Sequence, residues 1–164
     1  MTTTPDLRFL FSNPLHFLAL GFGTGLSRIA PGTMGTLIAA PIFYGLMQTP
    51  EVIHYVVIAA LFLVGIPICA IAGRHLGVTD HSGIVWDEIV AFLLVLEFTT
   101  LSWQWWITAF LLFRLFDIWK PFPISYFDAK FKDGFGVMFD DLVAALFAIA
   151  CMKGLQWWML TYSI

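Results

Sequence analysis

Long apolar runs broken by two polar segments set the plan of this chain. Residues 29–50 contain no charged side chain, and neither do residues 52–73; residues 89–113 carry only Glu97 and residues 142–164 only Lys153. The runs are continuous, without the alternation that marks a β-barrel strand. They therefore predict helices, which satisfy their own backbone groups in hydrocarbon. The predicted spans are 33–48, 52–73, 89–101, 104–119 and 141–160, with 89–119 forming a hairpin that turns near 99–103. Gly65 and Pro67 are expected to bend the second span. Residues 15–22 predict a short amphipathic helix lying in the interface. The expected fold class is all-α: an integral membrane helical bundle of about four to five short transmembrane helices plus an N-terminal interfacial helix. A single domain over 1–164 accommodates all of it.

Composition sharpens this picture. The 164 residues are 60% hydrophobic and 12% charged, with a mean hydropathy of +0.87. Soluble domains carry about 25% charged residues, so a fully solvated surface is excluded. Disorder has the opposite signature, low hydrophobicity with high charge. A net charge of −3 offers no basic face for nucleic acid. Cys69 and Cys151 sit inside apolar runs and read as free thiols rather than a structural disulfide. No signal peptide is expected, because Asn13 and Pro14 interrupt the N-terminal apolar stretch.

The few charges are unevenly placed. Residues 73–88 and 114–141 hold 13 of the 19 charges, and eight of the eleven carboxylates: Asp80, Asp87, Glu88, Asp117, Asp128, Asp133, Asp140 and Asp141. The predicted turns at 49–51 and 100–103 lack Lys and Arg, whereas Arg8, Arg28, Arg74, Lys120, Lys130 and Lys132 fall together on the other side. The positive-inside rule makes that side cytoplasmic. The tryptophans at 103, 105, 106, 157 and 158 then form an aromatic belt at the opposite face.

Eight carboxylates on one face fit a hard divalent cation, which takes a few carboxylates plus phosphate oxygens as ligands. Simpler roles compete. Asp87 and Glu88 also suit the positive end of the helix that follows, and Asp140 or Asp141 suits a helix cap. Arg114, Asp117 and Lys120 are spaced so that neighbours meet on one helical face. Lys120 can hold a phosphate or snorkel to the interface. The segment GFGTGLSRIAPGTMGT before an apolar helix offers backbone amides to an anion, or simply small residues for close helix packing. His81 reads as a solvated loop histidine or as an acid–base group beside Asp80. Glu97 and Lys153, costly inside spans unless paired, are expected to pair with each other.

Three blocks together resemble the phosphatidylglycerophosphatase A family: GFGTGLSRIAPGTMGTL (21–37), DHSGIVWDEIV (80–90) and FRLFDIWKPFPISYFDAKFKDGFGVMFDDLVA (113–144). The resemblance implies a Mg²⁺-dependent lipid phosphatase of the bacterial inner membrane that converts phosphatidylglycerophosphate to phosphatidylglycerol and phosphate, and the charge placement above turns its site to the cytoplasm. It implies catalytic roles for Asp87, Glu88, Asp117, Lys120, Asp128 and Asp141, and Mg²⁺ ligation by a subset of Asp87, Glu88, Asp117, Asp140 and Asp141. Thr24, Gly32, Thr33, Arg114 and Lys120 are the implied substrate contacts, and Arg28 is read apart from the family as a local phosphate or lipid contact. Arg28 stands where members commonly have proline, and Asp133-Gly134 replaces a frequent Gly-Gly.

Other classes fit less well. A transporter would gather its polar residues near the midplane and show repeats. The DGxxAR pattern of CDP-alcohol phosphotransferases and the PSGH block of type-2 phosphatidate phosphatases are both absent. A membrane scaffold has no need of eight carboxylates on one side.

Overall fold

Eight α-helices and a tight 3-10 turn make up residues 4–162, which the structure, a computed structural model, describes. Two short helices open the chain, α1 (Leu7–Ser12) and α2 (Pro14–Ala19). Asp6 caps the first through the Phe9 amide, and Asn13 with Pro14 at the first turn starts the second. The predicted interfacial helix 15–22 is therefore shorter than expected. It stops at Ala19, because Gly21, Phe22 and Gly23 adopt positive φ inside the 3-10 turn Gly21–Leu26.

The bundle proper comprises α3 (Pro31–Leu46), α4 (Glu51–Leu76), α5 (Trp86–Glu97), α6 (Trp103–Trp119) and α8 (Gly134–Tyr162), with the short α7 (Ile124–Lys130) before the last. Among the described residues there is no strand. Among the described residues, two helices, α4 and α8, are long and apolar enough to cross a membrane. At 1.5 Å per residue, the twelve residues of α5 reach only about 18 Å. This helix is buried on nearly every side and packs against α3, α4 and α8. It is a core element rather than a lipid-facing one.

The predicted turn between α5 and α6 is present, with Ser102 capping α6. Pro67 lies inside α4, and the helix runs through it without interruption. The last helix begins at Gly134 instead of 141, so Asp140 and Asp141 lie two turns inside it and cap nothing. Asp133 takes the capping position, accepting from the Gly136 amide at 2.9 Å. The pairing of Glu97 with Lys153 does not occur. Glu97 meets His54 of α4 at 3.0 Å, joining the two helices at the end remote from the polar loops, while Lys153 is exposed. Cys69 is a buried free thiol and Cys151 an exposed one.

At the other end, the glycine-rich turn and the loop before α5 come together backbone to backbone. The Val85 amide donates to the Ala19 carbonyl at 2.9 Å. A Cβ on Gly25 would collide with the Gly83 backbone, so only glycine permits this approach. That contact seats the start of α5 beneath the N-terminal segment.

Candidate active site

The first turn of α5 puts Asp87 and Glu88 toward the bundle axis, and the second turn of α8 brings Asp141 beside them. One carboxylate oxygen from each of the three lies within 4.8 Å of the others. Asp87 Oδ1, Glu88 Oε2, Asp140 Oδ1 and Asp141 Oδ2 are buried with no hydrogen-bond partner among the described residues. A buried, unpartnered carboxylate oxygen is costly. A hard divalent cation that takes these oxygens as ligands removes the cost, and an all-oxygen donor set is the kind such cations use. The residues present therefore fit a metal ion.

Around the cluster is a cavity of about 260 Å³. Its lining includes Asp80, Asp87, Glu88, Asp117, Asp140 and Asp141, countered by Arg114 and Lys120. Six carboxyl groups against two cations would repel a phosphomonoester dianion. The imbalance is itself an argument for added positive charge.

Both cations are tethered. Arg114 Nη1 donates to Asp117 one turn along α6 at 2.5 Å, lies 3.5 Å from Glu88, and reaches Thr36 Oγ1 of α3 at 3.4 Å. A Cβ on Gly32 would meet the Glu88 carboxylate and sit 3.1 Å from both terminal nitrogens of Arg114, so a side chain where α3 crosses the cluster would push these two groups from their positions. Lys120 ends α6 with φ +44°, a left-handed conformation that costs a non-glycine residue about 1–2 kcal/mol. From there its ammonium donates to Asp140 and, at 2.9 Å, to Asp128 of α7. Burial disfavours the Lys120 charge, but Asp140 and Asp128 outweigh it and hold the group protonated above its ordinary range. Burial likewise works against the Asp128 carboxylate, and Lys120 and Lys132 overcome it, keeping it below the usual carboxylate range. His81 is held below the ordinary imidazole value by burial, against the pull of Asp80.

The structure thus brings together Asp87, Glu88, Asp117, Asp140, Asp141, Arg114, Lys120 and Gly32 in one cavity wall, with Asp128 behind Lys120. Thr33 follows Gly32 on α3, where no side chain caps the first turn. Thr24 and Arg28 are elsewhere. The Thr24 hydroxyl donates to the Gly21 carbonyl within its own turn, and Arg28 lines a neighbouring cavity with Asp6, Ser27 and His81. Ser82 and Ile118 also line the main cavity, and Thr36 touches Arg114, none of which the sequence reading singled out. Only the i, i+4 placement of Thr36 after Gly32 offered a signal for it. Helix α7 was likewise missed, because its run ISYFDAK lies in a segment read as a polar loop.

Fold and site together define a class: an all-helical bundle, two of whose described helices are long and apolar enough to cross a membrane, with a buried acidic centre at one end. Sequence comparison narrows the class. The family model for phosphatidylglycerophosphatase A matches residues 17–156, and the chain belongs to that family. It is 47% identical over 150 residues to a phosphatidylglycerophosphatase A of Haemophilus influenzae, covering 90% of this chain and 92% of the relative. It is 41% identical over 140 residues to the Escherichia coli phosphatidylglycerophosphatase A, covering 85% and 81%. A putative phosphatidylinositol-3-phosphatase of Bacteroides thetaiotaomicron is 33% identical over 147 residues, covering 85% and 92%. No solved structure matches the chain.

Proposed function

We propose that the protein hydrolyses the terminal phosphomonoester of phosphatidylglycerophosphate, yielding phosphatidylglycerol and inorganic phosphate, with Mg²⁺ as its metal. It does so at the cytoplasmic face of the bacterial inner membrane, in a multi-pass bundle of four to five spans. The family and the named activity of its two phosphatidylglycerophosphatase A relatives support the reaction. The observation that carries the metal reading is the triad of Asp87, Glu88 and Asp141, with its buried unpartnered oxygens.

Those three carboxylates, with Asp140 and Asp117 at their flanks, would hold the ion. Bound Mg²⁺ would neutralise phosphoryl charge and make an attacking water more acidic. The chain's own residues supply the rest. Arg114, fixed by Asp117 and Glu88, and Lys120, fixed by Asp140 and Asp128, present preorganised positive charge at the cavity wall. The uncapped first turn of α3 adds the amides of Gly32 and Thr33 and the positive end of its dipole. Charge placed in advance stabilises the developing phosphoryl oxyanions without reorganisation. Water attacks phosphorus as the bond to the glycerol oxygen breaks, and the released alkoxide takes up a proton.

The test is phosphate release by purified protein in detergent from phosphatidylglycerophosphate, with Mg²⁺ and with a chelator. Release that requires the divalent ion is expected; release unaffected by chelation rejects the metal, and no release rejects the phosphatase.

A further inference from the structure

Around the mouth of the acidic cavity the surface turns apolar. Ile29, Ile118, Trp119 and Phe122 are 83%, 70%, 69% and 80% exposed, and Ile118 also lines the cavity. Helices α3 and α6 pass one another there in opposite directions and touch at two levels. Near the cavity, Arg114 reaches Thr36; toward the other end, the rings of Phe43 and Trp106 lie 6.1 Å apart. Along α3 these contacts are about two turns apart, roughly 10 Å. Leu111 and Ile118 lie one turn to either side of Arg114 on a single stripe of α6, at the outer border of its contact with α3. Both stay exposed, as does Leu37 beside Thr36. The outer side of the α3–α6 seam is thus an open aliphatic track that starts at the cavity mouth and runs into the apolar zone.

We propose that the diacylglycerol chains of the substrate lie along this seam, on Ile118, Leu111 and Leu37, so that the headgroup reaches the carboxylates sideways from the bilayer. The inference rests on the phospholipid-phosphatase reading above. A soluble phosphomonoester gains nothing from an apolar rim. A phospholipid must keep its chains in hydrocarbon while its terminal phosphate reaches a buried acidic cluster, and this seam is continuous with both.

The experiment compares kcat/KM for long-chain and dihexanoyl phosphatidylglycerophosphate in mixed micelles for wild type, Leu111→Gln, Leu37→Gln and, as a control at an exposed position of α8, Leu146→Gln. Removing one aliphatic contact should lower the long-to-short-chain ratio by roughly tenfold in each seam variant, and leave it intact in the control. An unchanged ratio in both seam variants overturns the inference while leaving the phosphatase reading standing. Wild-type protein inactive on both substrates removes that reading and the seam proposal with it. A second measurement does not depend on how well a polar variant folds. A benzophenone amino acid at position 111, irradiated in phosphatidylcholine vesicles, should form an adduct with labelled long-chain substrate that excess unlabelled substrate suppresses. An adduct that substrate does not suppress, or a crosslink between two copies of the chain, overturns the assignment and gives the seam to bulk lipid or to a dimer.

Discussion

At the scale of single residues, the site separates carboxylates by what they touch. Asp133 and Asp141 are both aspartates at the start of one helix, but Asp133 accepts from the Gly136 amide while Asp141 keeps a buried, unpartnered oxygen in the acidic triad. Asp141→Asn should therefore lower kcat by more than about 100-fold, the upper end for groups that only support a metal site. Asp133→Asn keeps a good capping residue and should change turnover by less than about twofold. Phosphate-release kinetics on both variants, with far-ultraviolet circular dichroism to establish the fold, check this. Equal losses would mean that the triad is not special. The residue types at these positions were legible from the sequence, and so was their collection at one end of the bundle. Their division into cluster, tether and cap was not, because it depends on where α8 starts and on which way each side chain turns.

At the scale of elements, the N-terminal helices depend on a histidine contact. His16 of α2 is buried, stacks on Phe9 at 4.0 Å, and lies 2.7 Å through Nε2 from His75 Nδ1 of α4. Burial, with the neighbouring His75 adding to it and a hydrogen bond to the Phe9 carbonyl opposing, lowers the His16 pKa from 6.5. A group whose folded pKa is depressed contributes full stability above its unfolded pKa and loses it as pH falls through the folded value. Docking of α1 and α2 should thus weaken progressively below about pH 6.5. Hydrogen exchange of residues 7–19 at pH 7.5 and 5.5, corrected for the intrinsic exchange rate at each pH, should show lower protection factors at the lower pH in wild type and a smaller difference in His16→Gln. The same pH dependence in both would assign the effect to another group. The apolar periods located α3 to α6 and α8 to within a few residues, apart from the start of α8. The sequence reading missed α7 and overextended α2. Those departures have local causes: positive φ at Phe22 and Gly23 ends one helix, and Asp133 starts another.

At the scale of the whole molecule, the exposed surface suits contact with lipid. Leu63 and Val64 on α4, Leu111 and Leu115 on α6, and Leu146 on α8 all face outward. Scattered exposed apolar residues are normal in soluble proteins, but this many on neighbouring helices is not. Cys151 is exposed on α8 and Cys69 is buried, so a thiol spin label on intact protein should attach at Cys151. After reconstitution, dissolved oxygen should relax that label more strongly than a water-soluble nickel chelate does, because oxygen concentrates in hydrocarbon. The reverse order would place this part of α8 in water.

Low charge and continuous apolar runs made the helical fold legible in the sequence alone and pointed to lipid around it, since only intrahelical hydrogen bonding reconciles such runs with hydrocarbon. The placement of the few charges also marked the end of the bundle where chemistry would lie. Tertiary structure alone decided which charges meet. Asp87 and Glu88 are 53 residues or more from Asp141 along the chain, and their convergence follows from α5 packing against α8. Glu97 found His54 rather than Lys153 for the same reason. Periodicity records which face of a helix is apolar, whereas partners across the bundle are set by helix start, rotation and depth.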